Sequence, residues 1–278
     1  MQTIETIQEL KNWVKKTKES GETIGLVPTM GFLHDGHISL VNKAKAENDR
    51  VVMSIFVNPA QFGPNEDFDR YPRDWDRDRQ LAEEAGTDVI FAPSVEEMYP
   101  RKSQISISAG ALADVLCGAK RPGHFDGVLK VVAKLFHLTQ ADRAYFGQKD
   151  AQQLAIIESL VEDYNFPLAI RRGETVREAD GLAKSSRNVY LSEAERQEAP
   201  HLQQALQLGR QAAIEGRDPV AVVRNYLDGR ISGTIDYIEL LAYPALTNDI
   251  KDEAILALAV QFEKARLIDN LIFNIKGN

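Results

Sequence analysis

His34-Asp35-Gly36-His37 sets two imidazoles around an acid and a glycine. Imidazole changes charge near neutrality and can donate a proton or a hydrogen bond there. The pair therefore suits the charge that develops on a departing pyrophosphate. Gly36 has no side chain to obstruct a polyphosphate approaching the backbone. A helix beginning near Ile38 would add free N–H groups and the positive end of its dipole, a ready anion site. Two ordinary loop histidines would look the same in isolation. A metal pair is a further alternative, but no nearby cysteine or third histidine completes a ligand set.

Asn58-Pro59-Ala60-Gln61 holds two amides just past an apolar run, where a parallel strand delivers ligand contacts. A plain Asn-Pro turn is the rival account. In the run from Tyr145 to Gln153, Lys149 offers a point charge for phosphate. Asp150 suits Mg²⁺, which takes one or two carboxylates and otherwise keeps water, and it suits a helix N-cap equally. Gln153 lies three residues on, toward the same side as Asp150. Within the run from Val176 to Arg187, Lys184-Ser185-Ser186-Arg187 places cations and hydroxyls in succession, able to grip phosphate oxygens. A solvated linker has the same composition. Arg121 to Gly127 reads equally as a flap over a site or as structure.

These groups need a scaffold to hold them. Thr23 to Pro28 reads as a short strand, Ile38 to Glu47 as a helix, and Arg50 to Val57 as a strand buried on both faces. Trp75 to Ala85 reads as a charged helix and Asp88 to Phe91 as a strand. Gly127 to Leu138 and Ala151 to Tyr164 follow as helices, with strands at Arg143 to Phe146 and Leu168 to Arg171. Strands separated by helices predict a parallel sheet with right-handed crossovers, a doubly wound, Rossmann-like α/β domain over 1–175. From Ser192 to Glu215 runs a polar helix broken by Pro200, with another from Pro219 to Leu227. Ile235 to Leu241, Ala254 to Phe262 and Ala265 to Phe273 are strand-like with little between them. They predict a smaller α+β domain with an antiparallel sheet over 176–278.

A length of 278 residues is comfortable for two domains. The 33 basic and 41 acidic residues give a net charge of −8, a poor balance for holding a phosphate backbone, so nucleic acid is not expected as a partner. Cys117 is the sole cysteine, which rules out an intrachain disulfide and favours a reducing, cytoplasmic setting. Its apolar neighbours predict a buried thiol. Met1 to Leu10 lacks the apolar core of a signal peptide, and the longest apolar run, Ala254 to Val260, is too short for a bilayer. No membrane partner is expected. Dinucleotide-binding and P-loop glycine signatures are absent, as is the Gly-x-Ser-x-Gly elbow of hydrolases.

Taken together, several segments in order resemble the pantothenate synthetase family of nucleotidyltransferases, which is related to class I aminoacyl-tRNA synthetases. They are Pro28 to His37, Phe56 to Gly63, Asn65 to Phe68, Arg121 to Val128, Tyr145 to Gln153 and Arg177 to Leu191. Past Ser192 the likeness weakens, with Ala265 to Asp269 as its best remnant. The resemblance implies ATP-dependent condensation of (R)-pantoate with β-alanine to pantothenate, AMP and pyrophosphate through a pantoyl adenylate. It implies that Met30, Gly31, Phe32, Leu33, His34, Asp35, Gly36 and His37 line the ATP site, with His37 as proton donor. Further ATP contacts are implied at Gly147, Gln148, Lys149, Asp150, Val176, Lys184, Ser185, Ser186 and Arg187. Gln61 and Gln153 are the implied pantoate pair, with Asn58 in support and β-alanine entering beside Gln61. Mg²⁺, a homodimer and a second domain closing over the ATP site belong to the same expectation. Two departures stand out: Lys184 where many relatives carry methionine, and Gln148 where the residue is often charged. Two alternatives stay open, an adenylyltransferase with the same His-x-Gly-His acting on a nucleotide or phosphopantetheine, and a non-catalytic nucleotide sensor. The paired glutamines weigh against the first.

Overall fold

The computed structural model describes every residue except Asn65, Asp67, Gly277 and Asn278. Two positions of the Asn65 to Phe68 motif thus lie outside the described residues. The strands are β1 (Gln2–Ile4), β2 (Ile24–Thr29), β3 (Arg50–Ile55), β4 (Val89–Phe91), β5 (Arg143–Gly147), β6 (Ala169–Gly173), β7 (Thr234–Ala242), β8 (Glu253–Gln261) and β9 (Arg266–Asn274). The early helices are α1 (Ile7–Glu19), α2 (Asp35–Glu47), α3 (Trp75–Glu84), α4 (Val95–Met98), α5 (Leu116–Lys120), α6 (His124–Thr139) and α7 (Ala151–Asp163). After them come α8 (Glu193–Glu198), α9 (His201–Ile214) and α10 (Pro219–Leu227).

Six strands form one sheet in the order β1-β4-β3-β2-β5-β6, every pairing parallel. Strand order reverses between β2 and β5, so this is the doubly wound arrangement, with its ligand crevice expected past the carboxyl ends of those strands. Parallel strands here are covered on both faces, which explains their continuous apolar runs. Ile24, Leu26, Val27, Val51, Val52 and Met53 are all fully buried.

β1 and α1 were not anticipated. Three residues of β1 pair with β4 at Val89 to Phe91, a tertiary partner that no local pattern announces. On α1 only Leu10, Val14 and Thr17 are buried, a stripe too narrow to stand out among lysines and glutamates. The short helices α4 and α5 were not anticipated either, while the remaining strands and helices lie within a few residues of expectation. Pro200 separates α8 from α9, as its missing N–H requires. One shift matters for chemistry: α2 starts at Asp35, not near Ile38.

The chain forms two compact units. The first takes 1–110, 121–148 and 156–174; the second takes 111–120, 149–155 and 175–278. In the second, β7-β8-β9 make an antiparallel sheet. β8 is its central strand, and Ala254 to Val260 are all buried. Leu202, Leu206 and Val223 from α9 and α10 pack into the same core as Leu256 and Leu258. The two earlier segments join this unit through specific bonds. Asn270 Nδ2 donates to the Lys149 carbonyl at 2.9 Å, and Gln152 Nε2 donates to the carbonyls of Leu112 and Val115 at 2.8 Å each. Cys117, buried as expected, lies 3.2 Å from the Tyr237 hydroxyl.

Candidate active site

β2 delivers the chain into a tight loop, with Gly31 at φ +81° and Phe32 at φ +50°. Thr29 Oγ1 donates to the Ser54 carbonyl at 2.7 Å and accepts the Gly31 N–H at 3.2 Å, holding the loop to β3. Next, His34 becomes the N-cap of α2: its Nδ1 accepts the Gly36 N–H at 3.2 Å. His37 Nδ1 accepts the His34 N–H at 3.3 Å, completing a capping box built from two histidines. A backbone N–H can only donate, so each Nδ1 is an acceptor and each ring keeps Nε2–H as its donor. The ring centroids are 4.0 Å apart and tilted by 35°. Gly36 has a second duty besides openness. A Cβ there would sit 2.9 Å from His34 Cε1, so a side chain would displace the imidazole.

Past β3, Asn58 is 1% exposed and organises the single 3₁₀ turn Pro59–Gln61. Its Oδ1 accepts from Ala60 N–H at 3.2 Å and from the Tyr99 hydroxyl at 2.8 Å. Burial pushes the Tyr99 phenol well above its ordinary range, so it stays a donor. Asn58 Nδ2 donates to Gln61 Oε1 at 2.9 Å and to the Gly127 carbonyl at 3.0 Å. Gln61 thus keeps its NH₂ as donor, 3.2 Å from Met30 Sδ, which brings the turn to the loop after β2. The Arg121 to Gly127 segment is tied to the same turn. His124 Nδ1 donates to the Gln61 carbonyl at 2.8 Å, leaving Nε2 to accept from Arg121 at 3.1 Å. Arg121 forks onto Glu66 at 2.7 and 2.5 Å. Burial alone would raise the Glu66 carboxyl, but the Arg121 bonds and charge hold it below its ordinary value.

Met30 to His37, Asn58, Gln61, Gly147 and Gln148 lie in the first unit, at or past the ends of β2, β3 and β5. Lys149, Asp150, Gln153, Val176 and Lys184 to Arg187 lie in the second. There Lys149 Nζ is 3.8 Å from Asp150 Oδ1, in the turn that precedes α7. Of the two neighbouring glutamines, Gln152 is spent on packing, as described above, while Gln153 is half-buried. Residues 176–184 fold back on themselves: the Val176 carbonyl accepts from Lys184 N–H at 2.9 Å, and Arg177 bridges to Ala183. Arg177 forks onto the buried Asp269 at 2.7 and 3.0 Å, so its charge serves the fold. Lys184 Nζ lies 3.0 Å from Glu178 Oε2. Ser185 Oγ caps the turn Ser186–Tyr190 through the Arg187 N–H at 3.3 Å.

Asp78, Arg77 and Tyr99 also hold these loops, and none of the three was singled out, whereas His124 and Glu66 lie in segments that the sequence did mark. Asp78 and Arg77 sit in an acid-and-arginine helix whose sequence marks no position above another.

The sequence matches the family described as Pantoate-beta-alanine ligase over residues 2–272. The chain belongs to that family. It is 59% identical to pantothenate synthetase from Lysinibacillus sphaericus and 56% identical to that from Halalkalibacterium halodurans. Each alignment covers nearly the whole of both chains, 99% and 99% for the first and 96% and 96% for the second. Among solved structures, pantothenate synthetase from Thermus thermophilus superposes with a TM-score of 0.92 at 46% identity, covering 98% of this chain and 99% of that one. A Francisella tularensis pantoate-β-alanine ligase, solved in complex with beta-gamma ATP and β-alanine, gives 0.82 at 34% identity, covering 98% and 97%. Membership sets aside the adenylyltransferase and sensor alternatives: the chain is an enzyme of ligase type. No helix among the described residues is long and apolar enough to cross a membrane.

Proposed function

We propose that this ligase activates (R)-pantoate with ATP as pantoyl adenylate and passes the acyl group to β-alanine. The observation that best supports this is the histidine capping box, which fixes two Nε2–H donors at the start of α2 beside the switch in strand order. A pantoate carboxylate oxygen attacks the α-phosphorus, and the bond to the β-phosphate breaks. His37 and His34 donate to the departing pyrophosphate, and Lys149 adds charge to the phosphates. The neutral amine of β-alanine then attacks the acyl carbon, expelling AMP and losing a proton. Met30 to His37, Gly147 to Asp150, Val176 and Lys184 to Arg187 form the ATP site. Gln61 and Gln153 hold pantoate, and β-alanine enters beside Gln61. Neutral amides orient the pantoate carboxylate without quenching it as a cation would.

Asp150 is the carboxylate that suits Mg²⁺. Its side chain is 51% exposed, and no cluster of three or more His, Cys, Asp or Glu is found among the described residues. A single carboxylate fits an ion that takes its remaining ligands from phosphates and water. Bound there, Mg²⁺ would neutralise phosphate charge. Residues 1–175 make up the nucleotide- and pantoate-binding domain and 176–278 the smaller α+β domain. The enzyme acts as a homodimer in the cytoplasm.

Labelled pyrophosphate should exchange into ATP with pantoate present and β-alanine absent. Gln61→Ala and Gln153→Ala should abolish that exchange while still binding ATP. Exchange that requires β-alanine would mean a concerted reaction and end the adenylate proposal. Lys184, paired with Glu178, makes a smaller contribution. Replacing it with methionine should weaken ATP binding about two- to fivefold, the range of a partly exposed ion pair. A pantoate KM that rises while ATP binding holds would show that Lys184 faces the other substrate.

A further inference from the structure

We propose that Asp78 and Arg77, neighbours in the first turn of α3, are positioning residues for adenylation that set the backbone from which His34 and His37 project. Asp78 is 2% exposed, and its two oxygens are divided between successive amides. Oδ2 accepts the Phe32 N–H at 2.7 Å and Oδ1 accepts the Leu33 N–H at 2.6 Å. Arg77 grips the same loop with the opposite polarity. It donates to the Leu33 carbonyl at 2.8 Å, and its guanidinium lies 5.6 Å from the Phe32 ring centroid.

This loop needs the support. Phe32 occupies the left-handed region, which a phenylalanine keeps only when its surroundings impose it. Gly31 passes so close that a Cβ would lie 2.9 Å from Asp78 Oδ2. The clamp ends at Leu33, one residue before the N-cap imidazole, so any lift of the loop moves His34 and, through the capping box, His37. Asparagine has the shape of Asp78 but a single acceptor. Its NH₂ would oppose one of the two converging N–H groups, and the loop would shift.

The proposal rests on the assignment of the two histidines to the phosphates, and its test keeps the two apart. The full-length enzyme is compared with Asp78→Asn, Arg77→Met and His37→Ala in single-turnover adenylation at saturating ATP, with pantoate KM and thermal unfolding measured alongside. Asp78→Asn should adenylate about a hundredfold more slowly, the loss that a 1 Å misplacement can bring. Its pantoate KM should stay within about twofold, since the change is felt in the transition state. Arg77→Met alters an exposed side chain and should slow the step about tenfold. A folded Asp78→Asn with the parent rate and only a lower melting temperature would reduce the pair to fold stability and overturn the proposal. If Asp78→Asn does not fold, Arg77→Met decides: an unchanged rate overturns the proposal, and a slower rate at an unchanged melting temperature supports it. A fast His37→Ala would remove the phosphate assignment as well. A slow His37→Ala beside fast clamp variants would remove the clamp alone.

Discussion

His37→Ala should slow pantoate adenylation by about 10²–10⁴-fold, the usual contribution of a positioned acid. The substitution deletes the Nε2–H donor and also half of the capping box, because Nδ1 accepts the His34 N–H. The cap loss costs about 1 kcal/mol of helix stability, so the variant should remain folded. Rapid quench with substoichiometric ATP isolates the step from product release. His37→Gln adds a discriminating measurement. Its amide N–H reaches about as far as Nε2 but does not titrate. Recovery of most of the rate in that variant would make His37 a hydrogen-bond donor to pyrophosphate, and no recovery would make it the proton source. An adenylation rate in His37→Ala equal to the parent's would take the imidazole out of the mechanism.

Gly127→Ala should cost pantoate use heavily, because residue 127 packs against the turn that carries Gln61. A Cβ there would overlap the Ala60 carbonyl and lie 2.6 Å from Gln61 Cα. Both obstacles are backbone, and the Gly127 carbonyl is itself held by Asn58 Nδ2 at 3.0 Å. Neither side can yield through a rotamer change, so either α6 or the Pro59–Gln61 turn must move. Overpacking of this kind costs about 1–3 kcal/mol, and a 1 Å displacement of an orienting group costs about a hundredfold in rate. The expected result is a lower melting temperature with a steep fall in kcat/KM for pantoate, while ATP binding by the free enzyme is little changed. Parent-like unfolding together with parent-like pantoate kinetics would show that the turn has slack the structure does not suggest.

Much of the scaffold could be read in advance because burial writes itself into composition. β2, β3 and β8 are continuous apolar runs, since a strand covered on both faces has no polar side to interrupt it. β1 is the counter-example: Gln2 and Thr3 are exposed, and only pairing with β4 makes them a strand. The placement of His34 and His37 between the first strand and the first helix was legible from the sequence. Their geometry was not, because an N-cap histidine looks like a loop histidine until its Nδ1 is seen to accept an N–H. For the same reason, the helix was expected near Ile38 when it begins at Asp35. Asp78 escaped notice, and so did the particular bond made by His124 within the marked Arg121 to Gly127 segment, on different grounds. Each acts on backbone atoms far away in sequence, 45 and 63 positions from Leu33 and Gln61, and such pairings leave no local periodicity.

The interleaving of the two units along the chain bears on how relatives of this enzyme can be recombined. A crossover placed at 174–175 looks clean on paper, yet it would pair one parent's β7-β8-β9 sheet with the other's 111–120 and 149–155 segments. Those segments meet the sheet's own unit at Tyr237, Asn270 and Arg266, the last lying 3.4 Å from Cys117 Sγ. Such a chimera mismatches the side-chain contacts of Cys117 with Tyr237 and Arg266 wherever the parents differ there. A workable exchange takes all three segments from the same parent, and Cys117, Tyr237 and Arg266 are expected to change together as lineages diverge.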